Sequence, residues 1–265
     1  MKQETVTVLG NEHLGNGYFR IGLDCSQAYR IAGPGQFVMV HLMDSDAPLL
    51  RRPFSIHRQI IDHDRLGGIE LLYKVVGNCT EKISRLERGD RLDLLGPLGS
   101  GFRISKAHSR IHLVSGGIGV APMAFLAMSL LEAGIESSAC KVFLGGRTQD
   151  DVLCREIFSD LGMVLSISTD DGSAGNAGLV TDPLEVAVKA EKPDMIYACG
   201  PMGMLGSVAD IAESFSVSCQ VSVETVMACG MGACLGCAVE RRGGQDAFLH
   251  ACVDGPVFDA ALLEY

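Results

Sequence analysis

The chain reads as a β + α/β protein in three parts. An N-terminal antiparallel β-barrel covers 1–102, a doubly wound parallel sheet 103–216, and a small cysteine-bearing module 217–265. Three observations predict this. Short β-branched or alternating runs between glycine turns fill the first hundred residues. From about Ser105, strand and helix patterns alternate. In the last fifty residues, periodicity gives way to glycines and four clustered cysteines.

Length and composition agree. The 265 residues suffice for two modest domains and an appendage, and 47% hydrophobic residues supply their cores. No low-complexity tract marks disorder, and no internal repeat is visible. A formal charge of −10 repels a phosphate backbone and disfavours nucleic-acid binding, while a local basic pocket for a small phosphate ligand stays open.

In the first part, runs 5–8, 18–23, 36–42, 69–76 and 91–95 are strand candidates, punctuated by Gly33-Pro34-Gly35 and Gly67-Gly68. The pattern itself suits a barrel or a sandwich. A short helix is expected over 80–86, before Gly89. In the second part, strands are expected over 111–114, 139–144, 164–168 and 195–199. Helices are expected over 121–133, closed by Gly134; over 149–161, with Thr148 as N-cap; and over 183–190 and 202–215. The uncharged stretch 111–131 has the length of a membrane span, but Ser115-Gly116-Gly117-Ile118-Gly119 and Pro122 interrupt it. A buried strand, a glycine turn and an apolar helix explain it better, so no membrane association is expected. The N-terminus lacks an apolar signal core, and the expected location is the cytoplasm.

Without an export signal, ten cysteines point to metal or redox use rather than disulfides. Six are scattered; Cys229-x4-Cys234-x2-Cys237-x14-Cys252 is a cluster with plant-type [2Fe–2S] spacing. Two irons bridged by sulfides need four thiolates from several sides. A loop supplies three, and a later segment closes the cage. Gly230, Gly232 and Gly236 let backbone N–H groups turn toward the sulfurs. A structural zinc site more often pairs two C-x2-C units, and one occurs here. Zinc and free thiols remain as the alternatives.

The turn Ser115–Ala121 follows a strand and opens a helix, where a dinucleotide pyrophosphate docks, although it lacks the G-x-G-x-x-G spacing and could be tight packing. Cys199-Gly200-Pro201-Met202, Gly145-Gly146-Arg147 and Asp170-Asp171-Gly172 also follow strands, at the carboxyl ends where ligands bind. Acidic groups near a ribose favour NAD over NADP. Arg147 argues the other way, and a solvated loop is an equal reading of the Asp pair. Arg51-Arg52-Pro53-Phe54-Ser55 offers an Arg fork for a pyrophosphate and a hydroxyl for a flavin. Alone it reads as a solvated pair. Beside a nicotinamide site and a one-electron cluster it supplies the missing converter, a flavin.

These motifs together resemble the ferredoxin reductase-like flavoproteins over the first 215 residues or so. Along the whole chain they resemble the electron-transfer subunits of the two-subunit, NAD-linked dihydroorotate dehydrogenases. Met227-Ala228-Cys229-Gly230-Met231-Gly232-Ala233-Cys234-Leu235-Gly236-Cys237 and the closing Cys252-Val253-Asp254-Gly255-Pro256-Val257-Phe258 carry the resemblance. It implies FAD held by Arg52, Pro53, Phe54 and Ser55, with contacts from Leu72-Tyr73-Lys74 and the turn Gly77-Asn78-Cys79-Thr80. There the family has a glycine where this chain has Cys79, which implies a rotated backbone or a shifted contact. It implies NAD binding by Gly116, Gly117, Gly119, Cys199, Gly200, Pro201 and Met202, with Cys199 near the nicotinamide, and the cluster on Cys229, Cys234, Cys237 and Cys252. No acid–base residue is required, because hydride passes directly between flavin and nicotinamide. The resemblance also implies a partner subunit that carries FMN and oxidises dihydroorotate, docked at the C-terminal module in a heterotetramer of two plus two. The rivals are a hydrogenase- or transhydrogenase-type reductase subunit and a zinc-stapled docking module without activity.

Overall fold

The computed structural model describes residues 1–43, 48–244 and 247–265. Six antiparallel strands close a barrel: β1 Lys2–Gly15, β2 Tyr18–Asp24, β3 Phe37–Leu42, β4 Arg52–Asp62, β5 Arg65–Lys74 and β6 Arg91–Leu98. Around the ring the order is β1-β2-β5-β4-β3-β6. Asn16 and Gly17 both take positive φ (47° and 74°), which lets the β1–β2 connection turn tightly with the twist of its strands. Alternate residues such as Val6, Val8, Ile21, Leu23, Ile69 and Leu71 fill the interior, and closure removes free strand edges. The sequence reading lacks β4. Its alternation is broken by Arg58 and Gln59, polar residues held on the outside: Arg58 forks onto Glu70 at 2.5 and 2.9 Å. Helix α1 (Asn78–Ile83) joins β5 to β6.

The second layer follows in chain order as β7 (Ile111–Gly116), α2 (Val120–Glu132), β8 (Cys140–Gly146), α3 (Arg155–Asp160), β9 (Val164–Thr169), β10 (Asn176–Ala177), α4 (Thr181–Ala190), β11 (Met195–Cys199), α5 (Met202–Ser214) and β12 (Ser218–Ser222). A hairpin of β13 (Ala238–Glu240) and β14 (Phe248–His250) comes next, then β15 (Val257–Asp259). The sheet runs β10-β9-β8-β7-β11-β12-β15. All pairings are parallel except β12 with β15. The chain leaves β7 toward β8 on one side and returns to β11 on the other, so the topological switch lies at the carboxyl end of β7. The apolar stretch 111–131 is thus a strand, a glycine turn and the buried helix α2, and no helix among the described residues is long and apolar enough to cross a membrane.

Two expectations change. The helix expected over 149–161 is broken into a 3-10 turn, Gln149–Asp151, and α3, with Cys154 between them at φ +60°. Thr148 does cap, but caps the 3-10 turn, accepting from the Asp150 N–H at 3.3 Å. The break lets Asp151 turn inward toward the barrel. Second, β12 and β15 lie beyond residue 216 yet belong to the large sheet. One continuous apolar body therefore runs from barrel residues Phe37, Met39 and Leu98, through Val221 and Phe258 of the sheet edge, to Cys237 and Cys252.

Candidate functional site

Three sites adjoin one another. The first is a cavity of about 670 Å³ between the barrel and the sheet. Arg52, Pro53, Phe54 and Ser55 open β4 along one wall; Leu72, Tyr73 and Lys74 end β5 along another; Gly77, Asn78, Cys79 and Thr80 close the end. Every residue expected to hold FAD lines this one space. Arg51 does not; it is paired with Asp93. The Arg52 guanidinium donates to the carbonyls of Leu50 (2.8 Å) and Arg51 (3.1 Å).

Local bonds set the shape. Thr80 Oγ1 accepts from the N–H groups of Val76 (2.9 Å) and Gly77 (3.2 Å) and donates to the Gly77 carbonyl (3.0 Å), which fixes the turn into α1. Tyr73 meets Phe54 edge-on at 5.8 Å and donates its hydroxyl to Asn11 Oδ1 at 3.1 Å. Asn11 in turn donates to the carbonyls of Ile83 (2.8 Å) and Leu86 (3.2 Å), tying the end of α1 to β1. Burial pushes the Tyr73 phenol up, so it remains a donor. Cys79 lies within α1 and is absent from the left-handed region, so of the two expected consequences of its departure from glycine the rotated backbone does not occur. Its thiol is buried against the barrel core and pushed up by that burial.

The opposite wall was not anticipated. Ile118 and Ala121 reach it from the β7–α2 turn, and residues 222–225, Met227 and Pro256 come from the C-terminal part. Nothing in the periodicity of 222–227 signals this, since the segment is irregular and apolar residues are spaced unevenly.

The second cavity, about 370 Å³, sits at the switch point. Gly116, Gly117, Gly145, Gly146 and Pro201 line it, with Arg147, Ser168, Asp170 and Met204. Gly119, Cys199 and Gly200 stand behind this wall. A β-carbon on Gly119 would lie 2.3 Å from the Cys199 carbonyl oxygen, and one on Gly200 2.6 Å from Met204 Cε. These glycines let two turns interlock. Cys199 is buried in register between Ser115 and Ser222, its thiol pushed up by burial. Met202 opens α5 half-exposed and is not among the lining residues; Met204 is. Asp171 is tied up with Ser173 at 2.6 Å, while Asp170 faces the cavity.

Lys74 lines both cavities. Its ammonium donates to Asp151 Oδ1 and to the Tyr18 hydroxyl, each at 3.0 Å, and Tyr18 donates to the same carboxylate oxygen at 2.7 Å. Arg147 Nε reaches the other oxygen at 3.2 Å. Burial alone would raise the Asp151 pKa, but the bonds from Tyr18 and Lys74 outweigh it and hold the group at about 2. The carboxylate bridges barrel and sheet, and it holds Arg147 by Nε while that side chain stays largely exposed beside the smaller cavity.

The third site is the cysteine loop. Cys229 accepts from the N–H groups of Met231 (3.5 Å) and Cys234 (3.4 Å); Cys252 accepts from Gly232 N–H at 3.2 Å and lies 3.2 Å, sulfur to sulfur, from Cys237. Those N–H groups, led by Met231, lower the Cys229 pKa to about 6. Burial and the neighbouring Cys237 raise that of Cys252 to about 11. Gly230 and Gly232 take φ +72° and +83° and Leu235 +59°, which turn the loop back on itself. Among the described residues no three His, Cys, Asp or Glu side chains close on one point as a single-ion site would. The contacts bring the Cys237 and Cys252 sulfurs together and aim the N–H groups of Met231 and Cys234 at the Cys229 sulfur. Thiols gathered on one loop with backbone N–H groups aimed at sulfur fit the donor set that an iron–sulfur cluster would need.

Comparison with known proteins agrees with this arrangement. Residues 224–264 match the model of the iron–sulfur cluster binding domain of dihydroorotate dehydrogenase B, and 113–210 match an oxidoreductase NAD-binding domain. The dihydroorotate dehydrogenase B (NAD(+)) electron transfer subunit of Desulforamulus reducens is 39% identical over 92% of this chain and 90% of its own. That of Geobacillus kaustophilus is 37% identical over 97% of each. A chain of the NADH-dependent reduced ferredoxin-NADP oxidoreductase superposes with a TM-score of 0.84 at 30% identity, covering 98% of this chain and 89% of its own. A ferredoxin NADP+ reductase from Neisseria gonorrhoeae, solved with FAD and NADP, shares the fold alone, with a TM-score of 0.67 at 12% identity over 81% of this chain and 92% of its own. By length, identity and all three sites, the chain belongs to the family of dihydroorotate dehydrogenase B (NAD(+)) electron transfer subunits.

Proposed function

We propose that this chain carries electrons from a partner subunit, which bears FMN and oxidises dihydroorotate, to NAD⁺. One observation carries the reading: the wall of the larger cavity continues through Met227 into Cys229, so the cavity and the cysteine loop share a single segment. In this reading 1–102 holds FAD, 103–216 holds NAD, and 217–265 holds a [2Fe–2S] cluster. Arg52, Pro53, Phe54 and Ser55, with residues 72–74 and 77–80, hold FAD. Gly116, Gly117 and Pro201 face the dinucleotide, backed by Gly119, Cys199 and Gly200. Cys229, Cys234, Cys237 and Cys252 hold the cluster.

When bound, the flavin supplies the exchange between two-electron hydride transfer and one-electron transfer. The chain's own contribution is position. The interlocked turns at 116–119 and 199–200 hold one ligand against the next. The residues at 222–227 cover the larger cavity from water. The loop N–H groups stabilise charge on sulfur. No side chain here is required to move a proton. Asp170 faces the smaller cavity, and an acidic group beside a ribose supports NAD over NADP. The partner docks on the C-terminal module, two copies of each chain make the assembly, and the complex works in the cytoplasm.

The likeness to the reduced ferredoxin-NADP oxidoreductase chain supports a second reading, service to a transhydrogenase-type partner. One experiment separates the readings. Purified protein is mixed with NADH, and visible spectra are followed with and without the FMN subunit. Bleaching of flavin and cluster together, and dihydroorotate-dependent NAD⁺ reduction once the partner is added, is the expected result. Bleaching with no effect of that partner moves the chain to the second reading. A colourless protein that carries zinc overturns both.

A further inference from the structure

The cysteine loop touches the barrel at one residue that the reading above does not use. Gly230 follows the first cysteine at φ +72°, and a β-carbon there would lie 2.6 Å from Met39 Cγ, 2.9 Å from Met39 Sδ and 3.3 Å from Leu98 Cδ1. Met39 is fully buried, and its Cγ lies close to the backbone, so it has no open space into which to retreat. On β3, Met39 stands opposite Pro53, and Phe37 lies two residues away on the same face; Pro53 and Phe37 both line the larger cavity. Phe37, Met39, Leu98, Met227, Cys237 and Cys252 are packed in one apolar body. Met39 thus stands beside two residues of the cavity wall, and the loop backbone at Gly230 rests on it directly.

We infer that Gly230 and Met39 form the seat that fixes how far the cluster stands from the flavin. The inference rests on the proposed function and adds a positioning residue to it. Glycine is needed because only a backbone without a β-carbon can approach Met39 this closely. Electron transfer between two centres weakens steeply with separation, so lifting the loop by the width of a methyl group slows the step between them. A ligand role would behave differently, since Gly230 offers no side-chain donor to iron.

The test compares Gly230→Ala, Met39→Ala, the double variant Gly230→Ala/Met39→Ala, and Gly243→Ala. Gly243 has a similar φ (+74°) and, among the described residues, nothing within 4 Å of its added β-carbon, so it reports the strain of a left-handed alanine. Iron and FAD per chain are measured first, with the EPR spectrum of the reduced cluster and the melting temperature of the cluster-free protein. Rapid mixing with NADH then follows flavin and cluster bleaching separately. In Gly230→Ala, cluster bleaching should lag flavin bleaching several-fold more than in the native chain, and the cluster-free protein should melt lower than Gly243→Ala. The double variant should recover both the lag and the melting temperature toward those of Met39→Ala. If Gly230→Ala loses iron instead, recovery of iron in the double variant supports the seat, and failure to recover overturns it. A fully loaded Gly230→Ala protein with the native lag also overturns it. A native chain that binds neither iron nor FAD overturns the proposed function, and the seat with it.

Discussion

A methyl group at position 119 would collide with a carbonyl oxygen, and backbone against backbone leaves no side chain to move aside. Gly119→Ala should therefore pry the β7–α2 turn from the β11–α5 turn, at a cost of about 1–3 kcal/mol. Thermal unfolding should show the loss, and the KM for NADH should rise, because Gly116 and Pro201 on the two turns line the same cavity. Gly119 also shows how far single residues are legible. Glycine serves tight packing and ligand approach alike, and in sequence the two uses look the same. Cys229, Cys234, Cys237 and Cys252 stand out in sequence because the proposed binuclear centre would dictate both residue type and spacing. Cys79 is half legible: its difference from glycine implies a rotated backbone or a shifted contact, and the helical backbone removes the first.

Among the elements, α1 depends on a strand far away in sequence. Asn11 on β1 receives the Tyr73 hydroxyl and caps two carbonyls at the end of α1, so three hydrogen bonds converge on one amide. Asn11→Ala should destabilise the chain by about 1–3 kcal/mol. It should also lower FAD occupancy, since both Tyr73 and the first turn of α1 line the larger cavity; FAD released per chain on denaturation measures this. An unchanged FAD content would show that α1 holds its place through Thr80 alone. The position of α1 is legible from composition and the following Gly89, and the alternation of strand and helix after residue 105 is legible because each element carries its own period. β4 is not, because a barrel strand with ion-paired outer residues loses the clean alternation. The split before α3 is not either, because the Asp151 it turns inward is bonded to Tyr18, far away in sequence.

For the molecule as a whole, that bond matters most. Tyr18 and Asp151 are 133 residues apart, and no local pattern pairs them. Asp151→Asn should weaken the joint between barrel and sheet by about 2 kcal/mol. The Asp151 pKa is held at about 2, below its ordinary value, so its contribution is complete above about pH 4 and is lost as pH falls toward 2. The difference in melting temperature between the native chain and Asp151→Asn should be constant near neutrality and close below pH 4. A gap that stays open in acid would mean that Asp151 contributes through its neutral hydrogen bonds and shape rather than through its charge. Changes of period separate barrel from sheet, while a boundary at 216 misses β12 and β15, which join the large sheet. The joint is not legible in sequence, and neither is the wall at 222–227, where a chain segment from the third part covers a cavity of the first. That wall has a consequence for the order of synthesis on the ribosome. The barrel strands emerge first, yet the last side of their cavity arrives only with Met227 and Pro256. Until then the barrel alone cannot enclose a flavin. Enclosure waits for the same stretch of chain that brings out the cysteine loop for cluster insertion.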